Sequence, residues 1–265
     1  MSEYGRPHRH HRVTDSTNER ARELAAAGAP SGTVVTAAEQ RAGRGRRGRR
    51  WSAPAGKALL YSAVLAPLER RHALLPLAVP VAICAAVESL APLACRVKWP
   101  NDVWLCEREA AQEEGVARRR DSGPSAKPEL LERKVAGILI EARPPEWAVI
   151  GVGLNLGIAD DEFPDDLRWP ATSVGHGATV DAALRAVNRA LGEWVAAPPE
   201  RVLAEFRERD ALAGRPVAWE GAGDAGDGHG VADGIDNAGN LIVTDDGGGR
   251  VALGAGEVSL RPGER

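Results

Sequence analysis

The stretch with the clearest chemistry in this sequence is rich in arginine and glycine. Residues 41–50 read RAGRGRRGRR, with six arginines and three glycines, and Trp51 follows directly. Glycine lets the backbone take left-handed conformations and close on a ligand, whereas a guanidinium group can bind two phosphate or carboxylate oxygens at once. The stretch predicts a loop that folds over a small anionic molecule, with Trp51 anchoring the loop or stacking on a ring.

Three other interpretations of residues 41–50 are open at this point. The glycines at 43, 45 and 48 have the spacing of a dinucleotide-binding fingerprint, but the residues that follow do not start a helix, and arginines crowd the place where backbone should meet pyrophosphate. The stretch could also be a solvated run without a role, or a local patch for nucleic acid. The formal net charge of -3 excludes a basic field over the whole chain.

A coarse pattern of helices and strands surrounds this loop. The residues from Asp15 to Glu19 resemble a helix start with a polar cap, and Gly28 ends the helix. Apolar runs bounded by turn residues predict the other elements. The predicted strands lie at 32–38, 58–65, 95–98, 102–105, 134–142 and 147–156, the last two as a hairpin; the predicted helices lie at 74–91, with Pro80 able to kink it, 180–196 and 200–211.

Three segments differ from this pattern. Residues 107–133 are charged and nearly free of large apolar side chains, which predicts a solvated insertion. The histidine- and arginine-rich residues 8–12 are expected to form a solvated tail, with metal binding as the alternative. After Gly214, five short strands punctuated by Gly, Asp and Asn predict a small barrel. The predicted domains are therefore 1–213 and 214–265.

The composition predicts a globular protein of a reducing compartment. With 43% hydrophobic residues the chain can bury a sizeable core. Three cysteines without a CxxC pair argue against a zinc site or a disulfide framework. There is no apolar run of membrane-spanning length and no signal-peptide pattern at the N-terminus. We therefore expect a cytoplasmic location and no membrane partner.

Five motifs, taken in order, resemble those of biotin protein ligases. They cover the region from about residue 13 to residue 158, and their order and approximate spacing agree with that family. The motifs are DSTN at 15–18, AEQRAGRGRRGRRW at 38–51, KWPND at 98–102, KVAGILIE at 134–141 and GVGLN at 151–155.

The resemblance implies a fold and a reaction. The fold is an α+β catalytic domain related to class II aminoacyl-tRNA synthetases, followed by a small SH3-like C-terminal β-barrel. The reaction makes biotinoyl-5′-AMP from biotin and MgATP, after which a lysine of a biotin carboxyl carrier domain, the expected partner, attacks the acyl-adenylate. Because the adenylate is already activated, the enzyme needs no covalent nucleophile, and its role is to exclude water and position the amine.

The resemblance also implies roles for individual residues. Asp102 belongs either to a magnesium–phosphate network or to the orientation of Lys134; a tight turn with a surface ion pair is the structural alternative. The implied biotin contacts are Ser16, Thr17, Asn18, Gln40, Gly43, Arg44, Gly45, Arg46, Lys134 and Gly137. The implied ATP contacts are Arg44, Arg46, Trp51, Asn155 and Lys134. The implied catalytic residues are Arg46, Lys134, Asp102 and Lys98, with Asp102 as the magnesium ligand.

Several of these residues have a structural alternative. Ser16 to Asn18 fit a helix cap, Gln40 an exposed strand end, and Asn155 a turn after a buried strand. The glycines at 137, 151 and 153 permit close approach of backbone to ligand, or mark β-bulges.

Two departures from the family pattern and two rival functions complete the expectations. About a dozen residues precede the Ser-Thr-Asn motif, so we expect no DNA-binding domain and no DNA partner. Residues 107–133 replace a short turn and are expected to be a flexible insertion rather than a carrier-docking element. A lipoate ligase or octanoyltransferase of the same fold is the nearest rival enzyme. A nucleic-acid-binding module built on residues 41–50 is the rival of another class.

Overall fold

The computed structural model describes residues 4–107, 131–220, 226–255 and 259–262. Its larger sheet has seven strands in the order β1-β2-β3-β7-β6-β5-β4. Strands β1 and β2 are parallel, and every other neighbouring pair is antiparallel. The strands are β1 His8–Thr14, β2 Val34–Gln40, β3 Ala58–Leu65, β4 Cys95–Lys98, β5 Asp102–Glu107, β6 Leu131–Arg143 and β7 Trp147–Asn155.

In the described ranges, four α-helices cover the two faces of this sheet. They are α1 Thr17–Ala26, α2 Leu75–Leu90, α3 Val180–Trp194 and α4 Pro199–Arg209. A small cluster that includes Ala21, Val64 and Val149 joins α1 to one face, and α2 and α3 pack over the larger cluster on the other. All eight residues of β3 are buried, as expected for a strand covered on both sides. The helix predicted at 74–91 is confirmed, with Pro80 buried inside it.

The residues after Gly214 form a second, smaller sheet. Its strands are β8 Pro216–Glu220, β9 Gly228–Ile235, β10 Leu241–Asp245, β11 Arg250–Leu253 and β12 Ser259–Pro262. They are antiparallel, in the order β11-β10-β9-β8-β12. The five predicted strands are confirmed. Among the described residues β11 and β12 are the two ends of an open sheet, so the pairing does not close a barrel.

Side-chain contacts join the two sheets. The indole nitrogen of Trp99 donates to the carbonyl oxygen of Gly239 at 3.1 Å, and Arg215 forms an ion pair with the buried Glu132. In the described part of the chain, no helix is long and apolar enough to cross a membrane.

The prediction of a solvated N-terminal tail was wrong. Residues 8–14 form β1, the edge strand of the larger sheet, paired in parallel with β2. The ring nitrogens of His8 and His10 lie 2.8 and 3.0 Å from the hydroxyl oxygen of Thr36. Backbone pairing at a sheet edge does not need apolar side chains, which is why a polar sequence can form this strand.

The predicted insertion at 107–133 was too long at both ends. Glu107 belongs to β5, and residues 131–133 belong to β6, with Cys106 opposite Glu132 in the ladder. Charged residues are accommodated there by ion pairs, such as that of Arg133 with Asp160 at 3.1 Å. The rest of the predicted insertion, residues 108–130, lies outside the described residues.

Candidate active site

A pocket lies between the N-terminus of α1, the central strands and the arginine–glycine stretch. It brings together most of the predicted site residues from four separate parts of the chain. Its lining includes Ser16, Thr17, Asn18, Gln40, Arg44, Gly45, Arg46, Trp51, Asp102, Lys134 and Gly137, together with Arg49, Arg50, Tyr61, Asn101, Ile138, Leu139, Gly151, Val152 and Gly153.

Residues 41–51 form a compact loop rather than the start of a helix. Arg44 and Arg50 pair as an isolated antiparallel bridge, and the Gly45 amide donates to the Arg49 carbonyl at 2.7 Å. Arg47 and Gly48 have positive φ of 54° and 73°. A side chain at Gly43 would come within 2.3 Å of the Trp51 carbonyl oxygen. These glycines serve the tight turn, and the dinucleotide-fingerprint interpretation is wrong because no helix follows.

Trp51 anchors the loop to the sheet. Gly137 on β6 and Gly153 on β7 are directly opposite each other in the ladder, and a Cβ at either position would lie 2.8 or 2.2 Å from the Trp51 ring. The two glycines thus form a notch for the indole. The β6–β7 ladder has no register shift at these positions, and the irregularity in the β5–β6 pairing falls at residues 134–136 rather than at Gly137, so the bulge interpretation is wrong for these glycines. At Gly151 the close neighbour is Asn18, whose side-chain oxygen would lie 2.0 Å from a Cβ.

The start of α1 is capped from another strand. Ser16 is the N-cap residue, but its side chain makes no capping hydrogen bond. The side-chain oxygen of Gln40 accepts hydrogen bonds from the Thr17 amide at 2.7 Å and from the Thr17 hydroxyl at 3.0 Å. Gln40 therefore satisfies a backbone donor that the helix leaves unpaired. The Ser16 hydroxyl is buried, lines the pocket and has no hydrogen-bond partner among the described residues.

Asn18 is held in one orientation by protein groups. Its side-chain nitrogen donates to Glu141 Oε2 at 2.9 Å and to the Leu139 carbonyl at 3.3 Å. Its side-chain oxygen accepts a hydrogen bond from the Ser62 hydroxyl at 2.6 Å. Because both ends of the amide are used, Asn18 shapes the pocket through its neighbours.

Glu141 links this polar cluster to the loop. Its other oxygen, Oε1, lies 3.0 Å from Nη1 of Arg44 and 3.8 Å from Nη1 of Arg22. Sequence reasoning placed Glu141 at the end of a motif but gave it no role. The available signal was a carboxylate at the end of an otherwise apolar strand.

At the other end of the pocket, Asp102 joins two lysines. Lys134 Nζ lies 2.7 Å from Asp102 Oδ1, and Lys98 is opposite Asp102 in the β4–β5 ladder. Burial alone would raise the pKa of the Asp102 carboxyl, but Lys134 and Lys98 hold that pKa below its usual value. Lys98 and Asp102 do flank a turn, but both are buried, so the surface ion pair of the structural alternative is wrong.

Lys98 is buried behind this pair and does not line the pocket. Its ammonium group lies 4.7 Å from the ring centroid of Trp169 and 5.9 Å from that of Trp104, distances at which a cation interacts with an aromatic face. Burial lowers the pKa of Lys98 to about 8, against the opposing effect of Asp102. Lys98 therefore affects the pocket through its charge interactions with Asp102 and Lys134 and not by lining it.

Among the described residues, no carboxylate that lines the pocket is free to bind a magnesium ion. Of the residues that the structure describes, Asp102 is the one carboxylate in the pocket lining, and it is already engaged by ammonium groups. No group of three or more His, Cys, Asp or Glu side chains in the described ranges is arranged to hold a metal ion. Of the two roles considered for Asp102, the geometry favours the orientation of Lys134.

Two arginines of the loop donate hydrogen bonds to the backbone of the C-terminal region, one in strand β8 and one just after strand β11. Arg46 donates to Asn101 Oδ1 at 3.2 Å and also to the Ala255 carbonyl, and Arg47 donates to the Glu220 carbonyl at 3.0 Å. Burial lowers the pKa of Arg46. Because these guanidinium groups and Arg44 are engaged within the protein, the loop is not a solvated run without contacts.

Besides Lys98, the predicted residues Gly43 and Asn155 lie outside the pocket lining. Asn155 is buried at the end of β7, and its side-chain nitrogen donates to the Thr172 carbonyl at 3.0 Å. Sequence reasoning missed Arg49, Arg50, Tyr61 and Asn101 as lining residues. The first two and Asn101 lie inside motifs that were recognised, whereas nothing but strand alternation pointed to Tyr61.

Comparison with known proteins identifies the family. Residues 11–155, more than half of the chain, match the Biotin/lipoate A/B protein ligase family, and the chain belongs to this family. Residues 214–261 match the Biotin protein ligase C terminal domain.

The relatives differ in how much of their own length the chain matches. The chain is 34% identical over 265 residues to a Biotin--[acetyl-CoA-carboxylase] ligase of Paracoccus denitrificans, covering 92% of this chain and 97% of the relative. It is 33% identical over 176 residues to the Bifunctional ligase/repressor BirA of Bacillus subtilis. That match covers 64% of this chain and 46% of the relative, so the chain spans about half the length of the Bacillus protein.

A solved structure supports the fold. A biotin protein ligase from Aquifex aeolicus in complex with biotin and ATP superposes with a TM-score of 0.71 at 23% sequence identity. The similarity covers 97% of this chain and 99% of that chain.

Proposed function

We propose that this protein is a biotin protein ligase, which activates biotin with ATP and transfers it to a lysine of a biotin carboxyl carrier domain. The observation that carries the proposal is one pocket with a buried polar end at α1 and a cationic end made by the loop and Lys134. We infer the substrates from the names of a relative and of a similar structure, which mention biotin, acetyl-CoA-carboxylase and ATP.

In the first step, a biotin carboxylate oxygen attacks the α-phosphorus of ATP and pyrophosphate leaves. The negative charges of both reactants must be neutralised and held in line. We assign this role to Lys134, oriented by Asp102, and to Arg46, oriented by Asn101. Magnesium enters only as the counterion that accompanies ATP, with no ligand from the described residues.

The polar end is proposed to bind the ureido ring of biotin. A buried ureido group needs matched donors and acceptors, because each unpaired polar group costs about 1–3 kcal/mol. The Ser16 hydroxyl supplies a group with no partner among the described residues. Thr17, Asn18 and Gln40 fix the shape of this end through hydrogen bonds to one another and to Ser62 and Glu141.

The contacts in the structure change the roles that we propose for several residues singled out from the sequence. Arg44 is paired with Glu141, so we assign it to the seating of the loop beside biotin, together with Gly43 and Gly45. Trp51 sits in its notch beside Gly137, at the end assigned to ATP. For Asn155, the ATP contact stays a prediction without a geometric argument.

In the second step, the amine of the carrier lysine attacks the acyl carbon, an amide forms and AMP leaves. The enzyme needs no thiol or hydroxyl nucleophile for this transfer. Cys84 is fully buried in α2, which fits a core residue.

The proposal also includes the domain boundary, the type of each domain, the partner and the cellular location. We place the domain boundary at Gly214, with 1–213 as a catalytic domain of the class II aminoacyl-tRNA synthetase type and 214–265 as an SH3-like domain. The partner is the carrier domain of an acyl-CoA carboxylase, and the location is cytoplasmic.

Biotin-dependent exchange of pyrophosphate into ATP, followed by transfer of labelled biotin to a purified carrier domain, tests this function. We expect both reactions with biotin. Labelled lipoate and octanoate serve as competing substrates, and preferential transfer of either would favour the rival enzyme. Binding to nucleic acid without any biotin-dependent exchange would favour the rival of the other class.

A further inference from the structure

Lysine is scarce in this chain. Of its 34 basic residues, 30 are arginine and four are lysine, namely Lys57, Lys98, Lys127 and Lys134. The difference matters chemically for an enzyme proposed to hold an acyl-adenylate. A neutral lysine amine attacks such an anhydride, whereas arginine stays protonated and does not.

The three lysines in the described residues all have engaged amines. Lys134 is ion-paired with Asp102 at 2.7 Å, and Lys98 is buried against Trp169. Lys57 donates to both side-chain oxygens of Glu162. An ammonium group held by a carboxylate has no free electron pair with which to attack a carbonyl.

The rim of the pocket is built from arginine. Arg44, Arg46, Arg49 and Arg50 line it, and among the described residues Lys134 is the one lysine that does so. A lysine at any of these four positions would give the same charge. It would also place a second amine, besides that of Lys134, beside an acyl group bound in the pocket.

We infer that the chain is chemically protected against its own acyl-adenylate, with arginine supplying charge around the pocket and the few lysines masked by carboxylates or burial. The inference rests on the proposed function. In the reaction that is prevented, a neutral lysine Nζ forms an amide bond to the acyl carbon, the bond from that carbon to the phosphate oxygen breaks, AMP leaves, and the amine proton passes to water. Asp102 thereby keeps Lys134 from reacting as well as orienting it.

Placing an amine on the rim tests the first half of the inference. All proteins carry Lys127→Arg, which removes the lysine outside the described residues. Arg50→Lys puts an amine at the pocket; its matched control, Arg185→Lys, puts one on the exposed face of α3, which does not line the pocket. Each is given synthetic biotinoyl-5′-AMP without carrier, so that adenylation by the variant is not needed, and biotin is located by peptide mass spectrometry.

We expect acylation at position 50 to exceed that at position 185 by roughly tenfold or more, because proximity raises the effective concentration of the amine. The parent protein should stay unmodified at its three lysines. Equal modification of positions 50 and 185, or ready acylation of a native lysine in the parent, would overturn the inference.

Unmasking Lys134 tests the second half. Asp102→Asn is close in shape and leaves two neighbouring lysines without their counter-charge, which favours loss of a proton from one of them. The variant is given synthetic biotinoyl-5′-AMP, so adenylation is not needed, and its fold is checked by circular dichroism. We expect biotin on Lys134 in this variant and not in the parent, with the signal lost in Asp102→Asn/Lys134→Arg. An unmodified Lys134 in folded Asp102→Asn would contradict the masking role of Asp102.

Pyrophosphate exchange and carrier biotinylation by the parent protein separate the two levels of the proposal. If both are absent, the proposed function fails. If both are normal and position 50 is not acylated in Arg50→Lys, the function stands and the protection inference fails.

Discussion

The two ends of the pocket are built in different ways. Beneath α1, Thr17, Asn18 and Ser62 are buried and hydrogen-bonded to one another or to Gln40 and Glu141. At the opposite end, the charged groups stand on an exposed loop that is held by Trp51 in its notch and by arginine contacts to backbone carbonyls.

This difference corresponds to the tasks proposed for the two ends. A ureido ring presents the same donors and acceptors throughout the reaction, so a rigid polar surface fixed by the core suits it. Phosphate charge arrives with the nucleotide and leaves with pyrophosphate, so a loop fastened at a few points suits that end. The following changes should separate the two ends, from the largest effect to the smallest.

Substitutions at the cationic end, made by the loop and Lys134, should reduce catalysis most. We expect Lys134→Ala and Arg46→Ala each to lose about 2–4 kcal/mol of transition-state stabilisation, because each removes a cation from developing phosphate charge. The measurement is kcat/KM for biotin-dependent pyrophosphate exchange. Exchange close to that of the parent protein in either variant would contradict the assignment.

Lys98 should make stability depend on pH. Its folded pKa of about 8 is below the ordinary value of 10.5, so the unfolded chain binds more protons between these values, and stability rises as pH increases through this window. We expect the free energy of unfolding of the parent, relative to Lys98→Met, to rise by about 2 kcal/mol from pH 7 to pH 10. Denaturant titrations at both pH values measure this. A difference that does not change with pH would show that Lys98 is not desolvated as described.

At the polar end beneath α1, two substitutions should separate an effect on biotin binding from an effect on stability. We expect Ser16→Ala to weaken biotin binding by about 1–2 kcal/mol with little change in stability, because its hydroxyl has no hydrogen-bond partner among the described residues. Thr17→Val is the matched control, and it should lower stability by about 1 kcal/mol because it removes hydrogen bonds to Gln40 and Ser62. Calorimetry with biotin and thermal unfolding give the two quantities. The same profile for both variants would remove the distinction drawn here.

Glu141 joins the two ends, and its effect should be the smallest. We expect Glu141→Gln to cost about 0.5–1 kcal/mol, because the ion pair with Arg44 is partly exposed while the contact to Asn18 can be kept. The loss should appear in KM for biotin and shrink as salt is raised. A loss confined to kcat would argue against a role in seating the loop.

Much of the fold was predictable from local patterns. The strand at 58–65 was predicted with its observed bounds, and the hairpin of β6 and β7 followed from two apolar runs around Pro144-Pro145. Strand β1 was missed because its residues are polar and its stability comes from parallel pairing with a distant strand. Whether five short strands close into a barrel depends on pairing that composition does not encode.

The residues that form the site were also more predictable than the contacts between them. Arginine and glycine in residues 41–50 indicated an anion-binding loop. The capping of Thr17 by Gln40 and the facing of Gly137 by Gly153 are contacts between residues far apart in sequence, so no local pattern reveals them. The same holds for the link from Glu141 to Arg44.

Because Trp51 sits in the glycine notch, its intrinsic fluorescence can report the position of the loop. An indole pressed against two strands, with Lys134 5.5 Å from its ring centre, has an emission set by that packing and that nearby charge. Any movement of the loop changes both. The difference in fluorescence between the parent and Trp51→Phe therefore gives a built-in optical reporter of loop position, readable in real time and without an attached dye.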